Sequence, residues 1–144
     1  IFYCTPATGG LGGAKTPLHD RMERSPTAGG GDATDTSVVA EIAPQEGDVV
    51  ISRSHGMTGF YYTGLDPSLR DLGVRTVIVT GVSLNIGLIG TTIEAVNHGY
   101  RAIVPEDCAA GDPPEYGDAV LRYAIRNLAY VTTSDRIFDV WGSG

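Results

Sequence analysis

Val77-Ile78-Val79-Thr80-Gly81-Val82-Ser83-Leu84-Asn85-Ile86-Gly87 carries an apolar stretch straight into a glycine-flanked turn, and its reading decides the fold. Three β-branched aliphatics in succession, Val77 to Val79, are expected of a strand buried on both faces and lying centrally in a parallel sheet. Beyond the turn, Leu88, Ile89, Thr92, Ile93 and Val96 recur at helical spacing and Gly99 supplies a left-handed stop, so a helix is expected from about Asn85 to His98. A strand running into a helix is the unit of a parallel α/β fold. Its chemistry collects at the junction, where backbone N–H groups and the positive helix end face the crevice beyond the strand.

The same alternation continues in both directions. Downstream, Arg101 to Pro105 and Tyr130 to Thr132 read as strands and Pro114 to about Leu128 as a helix, with Ser134 or Asp135 capping a terminal helix that ends near Trp141. Upstream, Ile1 to Thr5 reads as a strand and Pro6 to about Thr34 as a long loop without periodicity. Asp35 or Thr36 caps a short helix through Ala43, Pro44 to Gly47 turn into a strand from Asp48 to Arg53, and after a loop Asp66 caps and Pro67 starts a helix that stops at Gly73. Strands alternating with helices of this length predict right-handed crossovers and a doubly wound, Rossmann-like α/β fold, a three-layer sandwich with a mostly parallel sheet. Because Ile1 opens a strand with no preceding turn or cap, the chain is expected to be a piece of something longer, without its first strand.

The 144 residues, 42% hydrophobic and 19% charged, fit one domain spanning 1–144 with residues 6–34 as its long loop. A net charge of −7 with no run of Lys or Arg argues against nucleic acid or polyphosphate partners. No apolar stretch approaches the roughly 20 residues that cross a bilayer, so no membrane partner is expected. Cys4 and Cys108 show neither a disulfide framework nor metal spacing, which places the protein in a reducing cytoplasm. His19, His55 and His98 are scattered, and no metal or other cofactor is implied.

Three constellations carry potential chemistry. Gly9-Gly10-Leu11-Gly12-Gly13-Ala14-Lys15-Thr16 follows the first strand and matches a phosphate-binding loop except at Ala14. Pro17 and the unpatterned residues after it offer no helix to converge on phosphates, so a solvated loop is the better reading. Arg53-Ser54-His55-Gly56 lies at the carboxyl end of a strand, where Arg53 can hold a carboxylate bidentately and His55 can titrate near neutrality. The competing reading is a surface ion pair for Arg53 and a loop hydrogen bond for His55. At the third, Gly87 lacks a side chain where N–H groups are exposed, which permits close approach of a ligand or, equally, close packing of helix on strand.

Taken together these segments resemble the isochorismatase-like cysteine hydrolase superfamily over about Thr36 to Val140. Its pattern G-V-[TS]-x-N-x-C-[VI]-x-x-T is matched by Gly81 to Thr91, except that Gly87 stands at the nucleophilic cysteine and Leu88 is a near match. Supporting segments are Ala43-Pro44 with Gly47-Asp48, Thr63-Gly64-Leu65-Asp66, Glu106-Asp107-Cys108-Ala109-Ala110 and Val131-Thr132-Thr133. The resemblance implies an Asp, Lys and Cys triad with a cis peptide in the turn, at Val82-Ser83. Here the Lys position holds Arg53 or Ser54, and the Asp would lie on a strand preceding this chain.

Members that hydrolyse the vinyl ether of isochorismate also carry glycine at this position, and protonating an enol ether needs a general acid and a water but no covalent intermediate. Arg53 can only bind or stabilise charge, because guanidinium keeps its proton in a protein. Proton transfer then falls to the preceding Asp or to His55. The resemblance therefore implies an isochorismatase-like hydrolase acting on a small anionic metabolite without a cysteine. Arg53, His55 and Gly87 are its catalytic set, and Ser83, Leu84, Asn85, Ile86 and Thr91 line the substrate. The alternative is an inactive member serving as a ligand-binding or assembly module. Cys108, beside Glu106 and Asp107, is read as structural. The family also implies a homo-oligomer.

Overall fold

The computed structural model describes residues 1–7, 17, 38–54 and 56–142. Most of the loop expected over Pro6–Thr34, the phosphate-loop motif, Asp35, Thr36 and His55 lie outside them. The chain divides into two compact units, Ile1–Gly56 with Tyr61–Thr63, and Met57–Phe60 with Gly64–Gly144.

In the first unit β1 (Phe2–Pro6) and β2 (Val49–Arg53) pair in parallel, with Phe2 opposite Val49 and Pro6 opposite Arg53. In the described part of the short helix expected through Ala43, residues Ala40–Ile42 form a 3₁₀ turn. Pro44 follows directly, and the residue before a proline is held out of helical geometry. The turn into β2 is closed by the Asp48 carboxylate, which accepts the Gln45 N–H at 2.9 Å, and by Gly47 at φ +91°.

The second unit is built on β3 (Thr76–Ile78), β5 (Arg101–Pro105) and β7 (Tyr130–Thr132), parallel and in the order β3-β5-β7. A separate parallel pair joins β4 (Gly81–Val82) to β6 (Ala109–Ala110). The helices are α1 (Leu65–Asp71), α2 (Ile89–Asn97), α3 (Pro114–Tyr123) and α4 (Ser134–Gly142). α2 crosses from β3 and β4 to β5, and α3 from β5 and β6 to β7. Chain connections of this length let parallel neighbours form.

The limits of β5 and β7 agree with the sequence reading, but the burial does not follow the apolar run. Val77 to Val79 are only half-buried, whereas Ala102, Val104 and Pro105 of β5 are buried. Among the described residues of this unit, β5 pairs with a strand on each side and β3 pairs with β5. The inward stripe of α2 also differs from the one expected. Thr92 and Ala95 are fully buried, and Ile93 and Val96 are exposed. The buried face of α2 thus runs through Thr92 and Ala95, and Ile93 and Val96 sit one position off it.

Leu84, Leu88, Val104, Val120 and Ile125 form one apolar cluster. Each large aliphatic contributes about 1.5–3 kcal/mol on full burial. Leu84 and Leu88, four residues apart, therefore pin the turn between β4 and α2 to β5 and α3. That anchoring positions the candidate site.

Candidate functional site

The turn begins at Gly81, whose φ of +110° favours glycine, and the Val82–Ser83 peptide is cis, at the bond the resemblance implies. Residues Leu84–Leu88 then form a π-helical turn. The Ser83 carbonyl accepts the N–H of Ile86 at 3.2 Å and that of Leu88 at 3.0 Å, and the second bond makes the wide five-residue return. Leu84 points into the core and is 1% exposed. Asn85 is tied to the loop before α3: its Nδ2 donates to the Asp112 carbonyl at 3.2 Å, and its Oδ1 accepts the Asp112 N–H at 3.4 Å. Ile86 is half-buried.

Gly87 and Gly90 lie three residues apart, and the segment Met57–Phe60 crosses over them. A Cβ at Gly87 would stand 3.2 Å from the Met57 carbonyl oxygen, and one at Gly90 only 2.5 Å from Cγ2 of Thr58. Thr91 fastens the crossing. Its Oγ1 accepts the Gly59 N–H at 2.9 Å and donates to the Gly87 carbonyl at 2.7 Å. A side chain at Gly87 would therefore crowd the backbone of this loop segment. Met57, Thr58 and Gly59 frame the turn, although reasoning from sequence assigns them no role. Gly56 and Gly59, bracketing Met57 and Thr58, were the available signal.

Ser83, Leu84, Asn85, Ile86, Gly87 and Thr91 are therefore gathered around one turn of the second unit. Arg53 belongs to the first unit, at the end of β2, half-buried, with Nη1 donating to the Gly56 carbonyl at 2.8 Å. That bond ties the guanidinium to its own loop through one of its five N–H groups. Cys4 lies on the neighbouring β1, and burial pushes its thiol up, an effect the Arg53 charge opposes only in part. A thiol so placed is a poor thiolate. Cys108 is exposed. Asp107 is engaged elsewhere. Its carboxylate accepts the Ser134 N–H at 2.9 Å and the Ser134 hydroxyl, which together hold it below the usual carboxylate range. Among the described residues no group of three or more His, Cys, Asp and Glu is gathered to hold a metal ion, and no helix is long and apolar enough to cross a membrane.

Parallel strands linked through helices, with a glycine turn opening onto a helix after a strand, define a doubly wound α/β protein of the kind that binds small ligands beyond its strand ends. The chain belongs to the isochorismatase family of the cysteine hydrolase superfamily: the family model described as the Isochorismatase domain matches residues 5–136. It is 33% identical over 139 residues to the maleamate amidohydrolase of Pseudomonas putida, covering 87% of this chain and 61% of that protein. The chain spans less than two thirds of the length of the first curated relatives it matches.

Among solved structures it is similar to the N-carbamoylsarcosine amidase of Thermoplasma acidophilum, with 31% identity, a TM-score of 0.66, and coverage of 93% of this chain and 72% of that one. An isochorismatase-like hydrolase from Alkaliphilus metalliredigens shares the fold at a TM-score of 0.77 and 24% identity, covering 97% of this chain and 70% of that one. The fold class is accordingly mixed α/β with mostly parallel sheets, consistent with a three-layer sandwich.

Proposed function

We propose that the protein is an isochorismatase-like hydrolase that acts on a small anionic metabolite without a cysteine nucleophile at the strand-to-helix turn. The observation that carries this reading is Gly87: it stands where the superfamily pattern has its cysteine, and its Cβ direction ends at the Met57 carbonyl oxygen at 3.2 Å. Two of the relatives, maleamate amidohydrolase and N-carbamoylsarcosine amidase, are named for amides that also bear a carboxylate. An anionic substrate fits a permanently charged guanidinium, and in this reading Arg53 holds that carboxylate.

Without a thiol, hydrolysis proceeds by direct attack of water, with protonation of the leaving atom by a general acid. His55 takes that role in this reading, since its imidazole can hold and release a proton near neutral pH. In this reading the N–H groups of the turn from Ser83 to Gly87, other than that of Ile86, which is bonded to the Ser83 carbonyl, polarise the bond under attack.

The test is turnover by the full-length protein of maleamate, N-carbamoylsarcosine and isochorismate, before and after alkylation of its thiols with iodoacetamide. Turnover of at least one substrate that survives alkylation is expected. Loss of all turnover on alkylation would show a thiol mechanism. No turnover, together with a raised melting temperature in the presence of a substrate, would show a ligand-binding module instead.

A further inference from the structure

Three of the ten Lys and Arg residues of this acidic chain, Arg70, Arg75 and Arg101, line one cavity of about 470 Å³ in the second unit, together with His98 and Tyr100. The cavity lies where β3 and β5 begin, at the opposite end of the strands from the turn at Gly81–Gly87. Its volume is within the range of small-molecule sites. In sequence these cations are 5 to 31 residues apart, so no run of positive charge announces them; the parallel pairing of β3 with β5 assembles them, with the Arg101 N–H bonded to the Arg75 carbonyl at 2.9 Å.

The charges there are unequally compensated. Asp66 is the carboxylate that answers Arg70, accepting its Nε–H on Oδ2 at 3.0 Å. Its Oδ1 accepts the Tyr100 hydroxyl at 2.8 Å and faces His98 Nδ1 at 3.5 Å, so both oxygens are engaged. Arg70 is fixed further by donating from Nη2 to the His98 carbonyl at 3.0 Å and by lying 5.6 Å above the Tyr100 ring, and Phe60 stacks on His98 at 5.2 Å. Arg75 and Arg101 are exposed, and among the described residues no carboxylate pairs with either side chain. A wall bonded together by Asp66, Arg70, His98 and Tyr100 therefore stands beside two guanidiniums that no carboxylate among the described residues pairs with.

From this arrangement we infer a second ligand site: the cavity binds a small oxyanion carrying two or more negative charges, a diphosphate or a di- or tricarboxylate, with Arg75 and Arg101 as its principal donors. Guanidinium presents paired N–H groups that match the oxygens of either anion, and a multiply charged ligand neutralises both at once. None of these residues belongs to the turn or to the Arg53 loop, so the site stands independently of the hydrolase reading.

The experiment is calorimetric titration of the full-length protein with pyrophosphate and, separately, with citrate, at constant ionic strength set by KCl. Saturable binding of at least one probe is expected, and the tighter probe identifies phosphate or carboxylate as the natural chemistry. The double variant Arg75→Gln/Arg101→Gln should bind that probe at least tenfold more weakly while its melting temperature without ligand stays that of the wild type. On the wild-type protein the His98 ring resonances should shift during the titration and the amide resonances of Gly87 and Thr91 should not. Equal affinity in the double variant, a response reproduced by KCl alone, shifts confined to Gly87 and Thr91, or no binding of either probe would overturn it.

Discussion

Gly87 sits inside helical geometry, where exchanging glycine for alanine ordinarily stabilises by up to about 1 kcal/mol. Here the added methyl meets the Met57 carbonyl oxygen at 3.2 Å, and crowding in a packed interior costs about 1–3 kcal/mol. Gly87→Ala should therefore gain nothing, or lose about 1 kcal/mol, in urea denaturation. A clear stabilisation would mean that Met57 yields freely. Arg53 offers the complementary test on function. Hydrogen bonds to a charged partner are worth about 1.5–3 kcal/mol, so Arg53→Met should raise KM for a carboxylate-bearing substrate by about ten- to a hundredfold, with a smaller change in kcat. An unchanged KM would remove Arg53 from substrate binding.

At the scale of elements, backbone meets backbone closely between the first turn of α3 and the loop before it. A Cβ on Gly117 would lie 3.1 Å from both Cα and N of Gly111, and one on Gly111 would lie 2.8 Å from Cα of Gly117. Main chain cannot swing aside as a side chain can. Gly117→Ala is expected to cost about 1–3 kcal/mol, read as a lower urea midpoint with an unchanged slope.

Which elements the sequence predicts correctly follows from the range of the interactions that form them. β5 and β7 are legible because apolar β-branched runs between turn residues need only local information, and the end of α2 because Gly99 adopts φ +88°. Asp66 misleads because its carboxylate is taken by Arg70 and Tyr100, so α1 starts at Leu65 with no side-chain cap. The helix expected to run to Leu128 ends as α at Tyr123 and continues as a 3₁₀ turn over Ile125–Asn127, which seats Ile125 in the core. The cap of α4 comes from Asp107, 27 residues earlier, a distance at which spacing rules carry no signal. The candidate turn is legible because its motif is contiguous. The arginine cavity is not, because it exists only once β3 lies against β5.

For the molecule as a whole, two carboxylates tie separate elements together, Asp66 to Arg70 and Tyr100, and Asp107 to the start of α4. Both titrate below the ordinary Asp range, Asp66 mainly through its bond to Arg70 and Asp107 through its bonds to Ser134. A group whose folded value is depressed binds fewer protons folded than unfolded, so its contribution is complete above the unfolded value of about 4 and is lost as pH falls through the lower folded value. Melting temperature should therefore fall as the solution is acidified below about pH 4, and the fall should be shallower in Asp66→Asn and Asp107→Asn. Parallel curves for wild type and variants would show that these two acids do not set acid stability.

The segment Met57–Phe60 laid across Gly87 and Gly90 has an evolutionary consequence. A thiol introduced at position 87 would sit on a Cβ 3.2 Å from the Met57 oxygen, so the route to a cysteine there is coupled to the path of a neighbouring loop. Mutational steps that first relax the strap open that route, and the residues to watch in any laboratory selection for thiol catalysis are Met57 and Thr58, ahead of Gly87 itself.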